Sequence, residues 1–274
     1  MRAMSGELVK KYYTEFDEGE WIRLIRNPYK RLEFDTTMRF LGKHLPEEGL
    51  VLDAGGGPGR YTVELAKLGY DVVLLDLTPR MLELAVGRIR EAGVEDRVRQ
   101  VLEGSIDDLS MFASDSFDAV LCLGGPLSHL VHRDRRLDAV KELIRVAKPG
   151  APLFVSVIGR LALCMNSLVY LWPEMKSDQD VYRRYTTTGQ YLGGLGFAPC
   201  HFYLPEELKE EFEDEARVIE MVGLEGMFST HEQRYNEVHE MGEYNDILWE
   251  THLETCTHPG LVGVSEHFMI ICRK

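Results

Sequence analysis

Residues 51–59 read Val51-Leu52-Asp53-Ala54-Gly55-Gly56-Gly57-Pro58-Gly59, following Leu50 and preceding a helical pattern, Tyr61–Leu68. An apolar run ending in an acid, a turn with glycine at alternate positions, and then a helix together open a nucleotide-binding βαβ unit. Glycine suits the turn because the backbone must reverse sharply and let a ligand approach without an intervening Cβ. The spacing narrows the ligand. Counted from Gly55, the pattern G-x-G-x-x-G ends on Arg60, and counted from Gly57 it ends on Thr62, so neither register gives a dinucleotide fingerprint. A pyrophosphate at the helix N-terminus would also be repelled by Asp53, whereas a cationic ligand carrying an amino group would not.

Asp53-x-Gly55-x-Gly57-x-Gly59 resembles motif I of the class I S-adenosylmethionine (SAM)-dependent methyltransferases, small-molecule type. The following segments are similar to that family in order. Residues 70–75 read as a buried strand ending in Asp76, the acid about 20 residues beyond a glycine turn that accepts hydrogen bonds from ribose hydroxyls. Asp76 also stands just before Thr78-Pro79, a helix start, so a capping role is open beside it. Val98–Leu102 is a third strand, Phe117–Leu123 a fourth leading into Gly124-Gly125-Pro126, and Ala151–Ile158 a fifth. Helix 134–147, between the last two, stops at Lys148-Pro149-Gly150. The resemblance covers residues 50–160 and is weak outside them. It implies that SAM is the cofactor and that Asp53, Gly55, Gly57, Gly59, Asp76, Leu77 and Leu123 belong to its binding set. Gly104, Ser105 and Ile106 would pack and hydrogen-bond the adenine.

The implied fold is α/β: a doubly wound, mostly parallel seven-stranded sheet with an antiparallel last strand, N-terminal helices and a cap insertion after strand five. Residues 1–45 are expected to form a helical lid and 46–160 the SAM-binding core.

 Residues 161–200 would be the cap insertion and 201–274 the C-terminal part of the core sheet. The N-terminal segment reads as two helices over 5–45, with Tyr12, Tyr13 and Arg31 as candidate lid contacts against a plainer reading as packing aromatics and a surface arginine. The insertion opens with an apolar helix-like segment after Leu161 and ends in Tyr182-Arg183-Arg184-Tyr185. It lies where ligands bind in open α/β sheets, so it reads equally as a cap over a substrate pocket or as a homodimer contact. Pro205 starts a further helix, Arg217–Leu224 a sixth strand, residues 231–256 carry a helical period, and His267–Cys272 is the seventh strand.

Composition bounds the function. The chain has 274 residues and a net charge of −14, enough for one domain with an elaboration and a large core. Five scattered cysteines, Cys122, Cys164, Cys200, Cys256 and Cys272, form no C-x-x-C pair and suggest reduced thiols in a cytoplasm. No N-terminal stretch reads as a signal peptide. The longest apolar run, Leu161–Trp172, is too short to span a bilayer. A cytoplasmic protein without a membrane partner is expected. Residues 205–254 carry sixteen Asp and Glu against three Lys and Arg, almost the whole net charge. This reads as a solvated helix face, or as a field favouring a cationic substrate. No basic face is apparent, which argues against nucleic-acid partners.

Methyl transfer from SAM needs little machinery, since the methyl is already activated by the sulfonium; the enzyme aligns a nucleophile and excludes water. A base is needed only for an acceptor that is protonated at neutral pH. His129, five residues after Gly124, is the candidate, with His201 second. The alternative for His129 is a helix-start histidine packed by Leu127 and Leu130. His252, Cys256 and His258 lack an evident fourth ligand for zinc, so no metal is assigned. The Asn/Asp-Pro-Pro-Tyr/Phe motif of amino-methyltransferases acting on adenine or glutamine is replaced by Leu123-Gly124-Gly125-Pro126, consistent with a small organic acceptor. The rival function is a non-catalytic subunit that binds SAM or S-adenosylhomocysteine.

Overall fold

The computed structural model describes residues 2–16, 18–167, 172–193 and 196–274; parts of the expected insertion, 168–171 and 194–195, lie outside the described residues. Three helices precede the sheet: α1 (Arg2–Phe16), α2 (Glu18–Arg23) and α3 (Pro28–His44). The sequence reading gave two; Asn27 makes the difference, accepting from Lys30 N–H as the N-cap of α3 with Pro28 in its first turn. The core then alternates: β1 (Leu50–Ala54), α4 (Arg60–Lys67), β2 (Asp71–Asp76), α5 (Pro79–Ala92), β3 (Val98–Glu103), β4 (Ala119–Cys122), α6 (Arg133–Val146) and β5 (Pro152–Ile158).

The insertion follows as α7 (Arg160–Asn166), α8 (Trp172–Ser177), α9 (Gln179–Thr188) and a two-stranded antiparallel sheet, β6 (Gln190–Tyr191) with β7 (Cys200–His201). Then come α10 (Pro205–Phe212), β8 (Arg217–Gly223), α11 (Glu232–Glu240), α12 (Asn245–Thr255), α13 (Pro259–Val264) and β9 (His267–Arg273). The helical period read over 231–256 is thus two helices, broken where Gly242 takes φ +79°.

The main sheet has seven strands in the order β3-β2-β1-β4-β5-β9-β8. Neighbours from β3 to β5 are parallel, while β9 is antiparallel to both β5 and β8. The expected antiparallel last strand is therefore present, inserted between strands five and six. Side-chain alternation along the strands divides the core between the two faces. Leu52, Val73, Leu75, Val120, Cys122, Leu153 and Val155 pack with α6 and α10 residues such as Leu143 and Phe212. Val51, Val72, Leu74, Leu121 and Phe154 pack on the other face with Phe40, Tyr61, Leu65 and Ile89. Burial on both faces explains why the central strands read as unbroken apolar runs. It also leaves the carboxyl ends of β1 to β5 as the place where loops can meet a ligand.

Candidate active site

A cavity lies at that edge, enclosing about 1120 Å³ of empty space when the open solvent at its mouth is included. Gly55, Gly56, Gly57 and Pro58 after β1, Asp76, Leu77 and Thr78 after β2, Gly104, Ser105 and Ile106 after β3, and Leu123, Gly124 and Pro126 after β4 form its floor. Gly55 has φ +78°, and a Cβ there would lie 2.5 Å from Pro126 Cγ. Gly57 has φ +54° with Glu20 Cγ, at 4.0 Å, the nearest atom to a Cβ built there. Gly59, also expected to bind cofactor, is the left-handed N-cap of α4. It shapes the turn but is not among the residues lining the cavity.

Asp76 serves two backbone groups at once. Gly57 N–H donates to its Oδ2 at 2.9 Å and Thr78 N–H to its Oδ1 at 2.8 Å. The capping reading and the cofactor reading are therefore compatible, because Asp76 lines the cavity and a carboxylate can accept about four hydrogen bonds. Burial pushes the Asp76 carboxyl up to about 6, against the lowering effect of those backbone donors. Asp53 is placed differently. It is fully buried on the α4 face of β1, and Thr62 Oγ1 donates to its Oδ2 at 2.6 Å. Its Oδ1 has no hydrogen-bond partner among the described residues, and burial raises its carboxyl to about 6 as well. Asp53 thus supports the glycine loop from beneath; Asp76 is the acid exposed to the ligand space.

The roof comes from the N-terminal helices: Gly6, Val9 and Tyr13 of α1, Glu20 and Arg23 of α2, and Leu24. Tyr13 is therefore where a lid contact was expected. Arg31 is a correction. It sits on the exposed side of α3, pairs with Asp35 at 3.0 Å and does not line the cavity. Arg23 is the arginine that does. Its Nε donates to Glu20 at 2.8 Å, and Nη1 and Nη2 donate to Glu33 at 2.6 and 3.3 Å. A guanidinium has five N–H groups, so two remain for a ligand. Glu33, 1% exposed, is in turn near His267, which bonds Glu225 at 2.8 Å. No local spacing announced this network, because its members lie on α2, α3, the turn after β8, and β9.

His129 lines the cavity at its far end and is 8% exposed. Its Nδ1 lies 2.9 Å from the Pro199 carbonyl oxygen and its Nε2 lies 2.8 Å from Tyr13 Oη. A carbonyl can only accept, so Nδ1 carries the proton. In the neutral ring Nε2 then accepts from the tyrosine hydroxyl. Burial lowers the His129 pKa, partly offset by the Pro199 hydrogen bond. The expected cap insertion behaves otherwise than read. None of its described residues lines the cavity; Pro199 holds His129 from behind, and Phe197 lies 5.8 Å from its ring. His201 is on β7, bonded to Glu207 at 3.3 Å and outside the cavity. His252 bonds Thr36 and His258 accepts from Gly260 N–H, so the two histidines face different partners.

These residues fit SAM. Asp76 offers an acceptor for a ribose diol, Leu77, Met81 and Ile106 offer apolar surface for adenine, and Arg23 has donors for a carboxylate. Comparison with known proteins agrees. A family model described as a methyltransferase domain matches residues 51–150. The ubiquinone biosynthesis O-methyltransferase of Xylella fastidiosa is 32% identical over 196 residues, covering 69% of this chain and 76% of that protein. The glycine/sarcosine N-methyltransferase of Parasynechococcus marenigrum is 32% identical over 147 residues, 53% of this chain and 50% of that one. Among solved structures, the 1,6-didemethyltoxoflavin-N1-methyltransferase of Burkholderia thailandensis superposes with a TM-score of 0.59 at 15% identity, covering 100% of this chain and 90% of its own. That likeness is one of fold. The chain belongs to the SAM-dependent methyltransferase family. It spans about half the length of several of the curated relatives that it matches.

Proposed function

We propose that this protein transfers a methyl group from SAM to a small-molecule acceptor by in-line displacement. The observation that carries the reading is the continuity of the cavity from the glycine loop and Asp76 to Tyr13 and His129. A protein that only binds the cofactor has no need of open space beyond it. Bound SAM would supply a methyl already activated on a sulfonium. The chain's own residues do the rest. Asp76 holds the ribose hydroxyls and Gly104–Ile106 the adenine. Arg23 takes the carboxylate, and Leu123 and Gly124 form a floor with little side chain. The helices α1 and α2 exclude water. His129 is the proton acceptor for an acceptor group that is protonated at neutral pH. The relatives' printed names span O- and N-methyl transfer, so the family alone does not select the atom.

Two measurements test this. Calorimetry should detect SAM and S-adenosylhomocysteine; NAD binding without either would overturn the cofactor. Tritium from methyl-labelled SAM should then appear in a small molecule when the protein is incubated with a metabolite extract. Binding without transfer would favour a regulatory or structural role.

A further inference from the structure

Resting on the methyl-transfer reading, we propose that Tyr13, on the lid helix, is the catalytic residue that meets the acceptor, with His129 taking the proton through it, and that the acceptor is a hydroxyl of phenolic type. The lone pair of His129 is not open to a substrate. The Pro199 carbonyl fixes the proton on Nδ1, and Tyr13 Oη occupies Nε2 at 2.8 Å. The tyrosine and imidazole rings stand at 86° with centroids 5.3 Å apart. No other hydrogen bond involves Tyr13 Oη among the described residues, so its oxygen lone pairs are free to accept. Both residues line the cavity.

The step balances. As the acceptor oxygen forms its bond to the methyl carbon, the C–S electron pair stays with sulfur. The acceptor's proton passes to Tyr13 Oη and the tyrosine's own proton passes to His129 Nε2. The resulting imidazolium keeps its Nδ1–H bond to the Pro199 carbonyl. Burial raises the Tyr13 pKa well above its ordinary value, so the phenol works as a relay and not as a standing tyrosinate. Burial keeps His129 neutral and ready to accept. The charged groups acting on Tyr13 are Glu20 and Arg23 on α2 and Asp76 at the end of β2; Arg135 of α6 lines the same cavity, paired with Asp107 at 2.6 Å.

The acceptor class follows from charge. The sulfonium and Arg23 are two cations facing two carboxylates, Glu20 and Asp76, so with SAM bound these charges already balance and an ammonium acceptor would add an uncompensated cation to the enclosed space. A neutral hydroxyl avoids that cost. A phenolic proton also suits a weak base better than an alkyl alcohol does. Val9, Leu24 and Leu130 supply apolar wall for a ring. Because Tyr13 arrives on α1 while His129 is held by the core, the relay is complete only when the lid is seated.

The test has two parts. In protein with ¹⁵N-labelled histidine, saturated with S-adenosylhomocysteine, His129 should show the Nδ1–H tautomer. Tyr13→Phe should shift Nε2 and raise the His129 pKa. The opposite tautomer, or an unmoved Nε2, overturns the pair whatever the turnover. Transfer from tritiated SAM is then measured on a panel of simple phenols and primary amines. Tyr13→Phe should lower kcat on phenols about 10²–10⁴-fold, with SAM affinity by calorimetry unchanged within about twofold. His129→Gln should lose as much, and the double variant no more. The acid limb of kcat at saturating SAM should lie below the ordinary histidine pKa, because protonated His129 cannot accept. A Tyr13→Phe rate within about threefold of wild type overturns the relay alone, and preferred methylation of amines overturns the acceptor class. Wild-type protein that binds SAM but transfers to neither panel nor extract overturns the methyl-transfer reading and the relay's catalytic role with it.

Discussion

The floor and the roof of the cavity are built by different means. The floor is four loops at the carboxyl ends of β1 to β4, drawn from residues 55–126 and held in register by parallel strands buried on both faces. The roof is two short helices held by side chains. Arg23 pairs with Glu33, Lys10 with Glu103 at 2.9 Å, and Arg60 stacks 3.6 Å from the Trp21 ring while donating to the Trp21 carbonyl at 2.5 Å. The sheet gives rigid placement to the groups proposed to hold the cofactor. The roof can separate by breaking these polar contacts and uncovering a few apolar side chains, Val9, Trp21 and Leu24 among them, as entry of a ligand requires.

The largest expected effect breaks the roof's anchor. Arg23→Ala leaves Glu33 buried without its guanidinium, which costs about 3–5 kcal/mol, read as a lower urea midpoint. Unchanged stability would show that α2 is held elsewhere. On the floor, Gly55→Ala forces a left-handed alanine, about 1–2 kcal/mol, and drives a methyl into Pro126, about 1–3 kcal/mol more. SAM affinity should fall at least tenfold, and a variant that binds normally would mean that the loop is softer than its geometry implies.

Asp76→Ala removes the ribose acceptor and should weaken SAM binding by about 1.5–3 kcal/mol in calorimetry. The same carboxyl sets a pH dependence. Its pKa is raised to about 6 in the folded protein, so it is ionised at pH 7.5 and protonated at pH 5. A ligand that prefers the ionised acceptor loses affinity as pH falls below about 6, by up to about tenfold per unit for each proton taken up. Asp76→Asn should flatten that slope. A raised pKa also means that this group favours folding only below its pKa and opposes it above, so apo stability should not fall with it between pH 6 and 5. The smallest effect sharpens the contrast within the N-terminal segment: Arg31→Ala should change stability and SAM affinity by no more than about 0.5 kcal/mol, unlike Arg23→Ala eight residues earlier.

Much of the floor was legible before any coordinates. Gly55, Gly57, Asp76, Leu77, Gly104, Ser105, Ile106 and Leu123 all line the cavity, because strand period and turn chemistry place residues at strand ends from local spacing alone. Asp53 and Gly59 were read in the right turn but work beneath it, a distinction that depends on which side of β1 and α4 the neighbouring layer covers. On the roof, Tyr13 was named and Arg31 was named in place of Arg23. Both arginines lie on helical segments, and only packing shows which one faces inward; the nearby Glu20 and Glu33 were the available signal. The insertion after β5 looked like a cap because of its position, yet α1 takes that place and the insertion supports His129 through Pro199.

By itself the sequence determined an α/β sheet with a glycine-turn site for SAM, since those features rest on apolar periodicity and on residues adjacent in the chain. Tertiary structure alone decided how that site is closed and what each ring nitrogen of His129 meets. Tyr13 and His129 are 116 residues apart, and His129 and Pro199 are 70 apart. The pairing of a phenol with one ring nitrogen and a carbonyl with the other is a matter of angle and distance between segments that only the packed core brings together. Burial, which raises the Asp53, Asp76 and Tyr13 pKa values and lowers that of His129, is likewise a property of the packed layers and not of any stretch of sequence.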